Sequence, residues 1–226
     1  MEFTNSPLVD CKVMSPNHSG TRTHQIDRIT PHCVVGQLEA ENIGRCFNNT
    51  NQASCNYGIG TEGRVCLIVD EKNRSWCTSS SANDQRAVTI ECASDKFEPY
   101  AFNDKVYNKL IDLCVDICKR NGKTKLIWLG DKDKTLKYKP APDEMVLTVH
   151  RWFANKSCPG SWMYSRMCDL AVKVTTKLNG VATNAANKDK HTLYHVQVGA
   201  YSKKENAENM VAKLKTAGFN AIIKVE

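Results

Sequence analysis

The chain has 226 residues, room for one or two domains, and its 41% apolar and 24% charged content is ordinary for a folded soluble protein. No apolar run approaches the ~20 residues that span a bilayer, so no membrane insertion is expected. A net charge of +7 favours anionic surroundings. No dense Lys/Arg patch with interleaved aromatics is present, so no nucleic-acid partner is expected. The start, Met1-Glu2-Phe3-Thr4-Asn5, has neither the basic nor the apolar region of a secretory leader. Folding in the cytoplasm is therefore expected, with any action outside depending on a later release. The eleven cysteines are odd in number and match no small disulfide scaffold. Cys33, Cys66, Cys92, Cys114 and Cys118 lie in apolar runs and are expected to pack as small hydrophobes.

Residues 1–30 are polar and turn-rich and read as an extended lead-in, with His18 and His24 structural or solvated. Residues 31–36 read as a buried strand ending at Gly36. Leu38 to Phe47 has helical spacing. Two strands, around Tyr57 and from Arg64 to Val69, are joined by a turn at Glu62-Gly63, and Ala87 to Ala93 is another strand. The clearest helix runs from Asn103, a capping residue, to Asn121, with Gly122 ending it and Val106, Leu110, Ile111, Cys114, Ile117 and Cys118 as its apolar stripe. Leu126 to Trp128 is a short strand, and the Lys/Asp-rich residues 130–144 are a charged surface loop. Val146 to Val149 leads into His150. Trp162 to Leu178 is a final helix with Trp162, Met163, Met167, Leu170 and Val174 on its inner side.

The composition then shifts. Residues 179–191 carry no large apolar side chain and suit a flexible linker. Leu193 to Val198 alternates like a strand, Ser202 caps a helix from Lys203 to Thr216, and Phe219 to Val225 is a second strand. The organisation is thus residues 1–178, a linker over 179–191, and a small unit over 192–226.

The chemistry concentrates in His150-Arg-Trp-Phe-Ala-Asn-Lys156-Ser-Cys158-Pro159-Gly160. An imidazole and a thiol eight residues apart are good zinc ligands, and the ammonium between them can meet a developing negative charge. His32, in Thr-Pro-His32-Cys-Val-Val, offers a third ligand. Three protein ligands leave an open position, the layout of a catalytic zinc. A structural zinc would need a fourth ligand, and His24 or Cys33 could supply one. Taken singly, each residue has a plainer explanation: His32 a core histidine, Cys158 a buried thiol, Glu91 an exposed strand end, Lys156 a solvated charge. Their joint pattern favours the metal.

The phrases Ser-Pro-Asn-His-Ser-Gly, Ile-Thr-Pro-His-Cys-Val-Val-Gly, Ala-Ser-Cys-Asn-Tyr-Gly-Ile-Gly, Arg-Ser-Trp-Cys-Thr-Ser-Ser, Asn-Asp-Gln-Arg-Ala-Val-Thr-Ile-Glu and Lys-Ser-Cys-Pro-Gly follow one another over residues 1–178. In that order they resemble the zinc-dependent N-acetylmuramoyl-L-alanine amidases of the type 2 amidase superfamily, which includes the peptidoglycan recognition proteins. The likeness is greatest to endolysins and autolysins of clostridia and their phages. It implies an α/β fold with a mixed central β-sheet flanked by helices. It implies cleavage of the amide between N-acetylmuramic acid and L-alanine of the stem peptide. It further implies Zn2+ held by His32, His150 and Cys158, with Glu91 as the catalytic carboxylate and Lys156 near the scissile carbonyl. Some members carry a tyrosine where this chain has Cys55, which makes Glu91 the better base and leaves Tyr57 to pack in the sheet.

The tail, with Tyr194-His-Val-Gln197 and Ala217-Gly-Phe219-Asn, resembles the first half of the sporulation-related (SPOR) repeat, a glycan-binding module. The half-repeat is a truncation, a remnant, or a piece completed by a second copy in a homodimer. The expected partner is bacterial peptidoglycan, both glycan strands and stem peptides. A cell-wall lytic endolysin is the leading reading. A mother-cell autolysin, or a recognition protein without catalysis, stands as the alternative, and Cys158 argues against the latter. Asn83, Asp84 and Arg86 read equally as a stem-peptide groove or a strand turn, and Trp76 and Trp152 as core or stacking residues.

Overall fold

The computed structural model describes residues 3–48, 52–180, 199–216 and 222–223. The chain divides into two compact units, Met1–Thr183 and Asn184–Glu226. The first contains β1 (Cys11–Lys12), β2 (His18–Thr21), β3 (Arg28–Cys33), α1 (Ala40–Arg45), β4 (Tyr57–Ile59), β5 (Val65–Leu67), β6 (Asn73–Ser75) and α2 (Ser81–Asp84). It continues through β7 (Ala87–Cys92), α3 (Asp104–Arg120), β8 (Lys125–Ile127), α4 (Lys132–Lys137) and β9 (Glu144–Leu147). A 3-10 turn at His150–Trp152 precedes α5 (Gly160–Tyr164) and α6 (Met167–Leu178).

Seven strands form one mixed sheet in the order β1-β5-β4-β7-β3-β9-β8, and β2 pairs with β6 separately. Among the described residues, only β4 and β5 pair antiparallel within the large sheet, joined by the Glu62-Gly63 turn. The other pairings are parallel. Parallel strands need both faces covered, and every position of β3 and β7 is buried. This is the α/β architecture with a mixed central sheet and flanking helices that the sequence predicts.

The β3–β7 register sets up the site. Thr30 pairs with Thr89, His32 with Glu91 and Cys33 with Cys92. Side chains alternate across a strand, so Arg28, Thr30 and His32 share one face while Ile29, Pro31 and Cys33 share the other. The helix α3 packs below with Leu110, Leu113, Cys114, Ile117 and Cys118 inaccessible to solvent. Asn103 caps it, its side chain accepting from the Val106 N–H at 3.0 Å, and Gly122 ends it in the left-handed region at φ +66°. Two contacts lock α3 to α6: the Tyr107 hydroxyl donates to Asp169 at 2.7 Å, and Lys177 reaches Asp112 at 2.7 Å. Cys66, Cys92, Cys114 and Cys118 are fully buried and Cys33 nearly so, the packing role expected of them.

Three expectations change. The lead-in is not merely extended: Asp10 and Val13 bond to Val65 and Leu67, making β1 the sheet edge. The charged stretch after Gly130 contains α4, whose start is capped by the Asp131 carboxylate accepting from the Lys134 N–H at 2.8 Å. A cap and a dipole-matched charge order suffice there without an apolar stripe. The single helix expected over Trp162–Leu178 is two, broken at Ser165 and Arg166. Met163, Met167, Leu170 and Val174 are all fully buried, so the stripe passes through the break and the periodicity does not register it. The break lets Trp162 pack against Phe102 and Tyr107, with the Arg166 guanidinium 4.1 Å above its ring.

In the second unit, α7 spans Lys204–Thr216. The strands expected at Leu193–Val198 and Phe219–Val225 lie largely outside the described residues, as does most of the 179–191 linker. Among the described residues no helix is long and apolar enough to cross a membrane.

Candidate metal and catalytic site

His32 is fully buried at the carboxyl-terminal part of β3. Its two ring nitrogens face two thiols. Nδ1 lies 3.2 Å from Cys158 Sγ, and Nε2 lies 3.3 Å from Cys77 Sγ. The His150 ring is 5.1 Å away, centroid to centroid. One ligand atom each from His32, His150 and Cys158 falls within 4.8 Å of the others. A second trio of His32, Cys77 and Glu91 meets the same limit. Among the described residues, neither His24 nor Cys33 joins these groups. Cys33 does border the same cavity as Cys158. His24 instead bonds its neighbour Thr23 at 2.9 Å.

The loop carrying His150, Lys156 and Cys158 is folded back by Arg151. The Arg151 N–H donates to the Cys158 carbonyl at 3.2 Å, and its guanidinium donates to the Ser157 carbonyl. The same guanidinium stacks 4.6 Å above the Tyr164 ring. Gly160 closes the loop at φ +83°, and a Cβ there would come 2.7 Å from the Pro99 carbonyl oxygen, so this turn requires glycine. An open cavity of about 340 Å³ results, bordered by Glu91, His150, Lys156, Cys158, Val35 and Tyr100.

The electrostatics follow from burial. Desolvation holds His32 well below the usual histidine range, with the His150 ring adding to it. Burial, then the Lys156 ammonium, lowers His150. Both shifts favour the neutral ring that metal ligation needs. Burial pushes the Glu91 carboxyl up to about 8. The hydrogen bond with Cys33, then burial, then Glu91 push the Cys158 thiol well up. A bound dication acts in the opposite direction on both.

Two buried polar atoms here have no partner among the described residues, His150 Nε2 and Glu91 Oε2. Such orphans cost about 1–3 kcal/mol each. Two imidazoles and a thiol, one with an unpartnered nitrogen, fit a zinc ion.

The remaining candidates all have structural partners. Tyr57 packs in the sheet, its hydroxyl donating to Glu71 at 2.6 Å. Cys55 is fully buried. Asn83 donates to Thr30 at 3.1 Å and accepts from Arg28 and Thr148. Asp84 accepts from the Cys77 and Thr78 N–H groups, both at 3.1 Å. Arg86 pairs with Asp27. Asn83 and Arg86 also border a separate cavity of about 670 Å³ with Arg28, Lys132 and Trp152. Trp152 is buried and stacked on Trp128, and the Trp76 indole donates to Ser19 at 2.7 Å. Cys77 is the residue the sequence leaves unassigned. It follows β6, which lies outside the large sheet, and its N–H donating to Asp84 holds it beside a histidine 45 positions away.

With this geometry in place, comparison with known proteins identifies the class. The chain belongs to the family described as N-acetylmuramoyl-L-alanine amidase (Amidase_2), which matches residues 22–161. Residues 190–226 match the SPOR domain. Among solved structures, a selenomethionine derivative of AmpD aligns with a TM-score of 0.53 and 16% identity, covering 75% of this chain and 99% of that one. A mutant of PlyL aligns at 0.51 and 14% identity, covering 78% and 99%. The Staphylococcus aureus hydrolase AmiA, in complex with its ligand, aligns at 0.51 and 14%, covering 78% and 87%. These likenesses establish the fold. No curated protein sequence matches the chain.

Proposed function

We propose that this protein is a zinc-dependent peptidoglycan amidase that hydrolyses the bond between the lactyl group of N-acetylmuramic acid and L-alanine. The observation that carries the reading is the convergence of His32, His150 and Cys158 beside a buried carboxylate, at a cavity that Lys156 borders. His32, His150 and Cys158 would hold the ion. When bound, zinc supplies a Lewis acid for the scissile carbonyl and lowers the pKa of a water.

The chain's own groups do the rest. Glu91, paired in register with His32 and with one oxygen unpartnered, takes the proton of the attacking water. As the C–N bond breaks, it passes that proton to the leaving amine of L-alanine. The products are a lactyl carboxylate and a free amine. Lys156, exposed at the cavity edge, offsets negative charge that collects on the former carbonyl oxygen. The SPOR match supports a glycan-binding role for the tail, and two tails completing one another in a dimer is one form it could take. An endolysin of clostridial phage type, folded in the cytoplasm and later released to the wall, is the biological setting we favour.

Purified peptidoglycan incubated with zinc-loaded protein should yield new L-alanine amino termini without new reducing sugars, read by mass spectrometry. Chelator treatment should abolish this. Intact muropeptides after digestion by folded, zinc-loaded protein would overturn the amidase reading.

A further inference from the structure

We infer that Cys77 is a positioning residue that orients the His32 ring for the metal and links it to Glu91, without being a ligand itself. The inference rests on the zinc reading above. A ligating histidine presents one bare nitrogen to the metal, and its other N–H needs an acceptor that fixes the ring. His32 Nδ1 points toward Cys158, with Glu91 Oε1 at 3.7 Å. The proton therefore belongs on Nε2, whose partner is Cys77 Sγ at 3.3 Å. This assigns the tautomer from the hydrogen-bond network. The Cys77 S–H then points on to Glu91 Oε1 at 4.0 Å. One side chain thus bridges the buried ligand and the carboxylate, where carboxylates or backbone carbonyls usually serve.

The place of Cys77 is itself built. Asp84, nearly fully buried, accepts from the backbone N–H groups of Cys77 and Thr78 and from the Thr78 hydroxyl at 2.6 Å. Ser80 caps α2 and so fixes the helix that carries Asp84. On the strand leading into this loop, the Ser75 hydroxyl bonds Thr89 at 2.8 Å.

The experiment compares the full-length wild type, Cys77→Ala, Cys77→Ser and the exposed control Cys168→Ala. Zinc affinity is measured by chelator competition, apo-protein melting by calorimetry, and the thiolate-to-metal band in the cobalt-substituted forms by absorption. Cys77→Ala should bind zinc about 10–100-fold more weakly. Cys77→Ser should recover part of that, its hydroxyl keeping the polarity on a shorter bond. The cobalt band should keep one thiolate's intensity in every variant. Unchanged zinc affinity in a folded Cys77→Ala protein overturns the inference. So does loss of thiolate intensity in Cys77→Ala, which would make Cys77 a ligand, and so does a weakened affinity fully accounted for by a lower apo melting temperature. If the wild type itself binds no zinc, the underlying metal reading fails instead.

Discussion

The two halves of the site rest on different kinds of backbone. His32 and Glu91 stand side by side on adjacent parallel strands whose every position is buried. His150, Lys156 and Cys158 ride on a loop in which Asn155, Lys156 and Ser157 are exposed. The sheet half is set by backbone hydrogen bonds and packing before any metal arrives. The loop half is held by Arg151, the Gly160 turn and whatever bonds the metal adds. On the zinc reading, the sheet half is then the preorganised one, and the loop half is the one that the metal's bonds would add most to.

Ligand removal tests that contrast most strongly. His32→Ala and His150→Ala should each fail to retain zinc and lose amidase activity to background. Only His32→Ala should also destabilise the apo protein appreciably, by about 1–3 kcal/mol, because it empties a fully buried position and orphans its thiol neighbours. His150→Ala should shift apo stability by less than about 1 kcal/mol, since it removes a half-buried ring with an already unpartnered nitrogen. Chemical denaturation of the metal-free variants decides the matter. Equal losses would mean that the loop is as much a part of the folded core as the strand.

The same contrast explains what could be read without coordinates. Where local chemistry and burial agree, the residues announce their structure: Asn103 and Gly122 bracket α3, and Glu62-Gly63 joins β4 to β5. His32, Glu91, His150 and Cys158 stand out through their order along the chain; the β3–β7 register places the first two side by side, and the loop after β9 returns the other two to them. Cys77 did not, because nothing within its own segment distinguishes a thiol that meets a histidine 45 positions away from one that merely packs. The helix α4 was hidden because its stability comes from a cap and charge order. The break before α6 was hidden because its apolar stripe is continuous.

Lys156 separates chemistry from assembly within the loop half. It is exposed and borders the cavity, and a protonated ammonium has no lone pair to offer a metal. Lys156→Ala should therefore retain stoichiometric zinc and unchanged melting while kcat falls by about 10²–10³, the usual cost of removing one group that meets transition-state charge. Metal content with single-turnover digestion of labelled muropeptides checks both parts. Normal turnover would remove Lys156 from the reaction.

The smallest expected effect probes the loop's scaffold without touching a ligand. The Arg151 guanidinium reaches the Cys158 carbonyl at 3.5 Å and the Ser157 carbonyl while stacking on Tyr164. Arg151→Ala leaves every candidate ligand atom and the backbone bond from residue 151 to the Cys158 carbonyl in place, but removes the guanidinium contacts that brace the loop. If the loop is ordered partly by metal, zinc affinity should fall about tenfold, in the lower range for residues that orient ligands. The resulting deficit in occupancy, and in activity, should vanish at saturating zinc, where the bound state is fully populated whatever the cost of reaching it. Arg151→Lys should restore little, because an ammonium cannot span two carbonyls and lie flat on an aromatic ring. Affinity equal to wild type in Arg151→Ala would show that the loop reaches its binding geometry unaided, and the division of the site into a fixed half and a completed half would not hold.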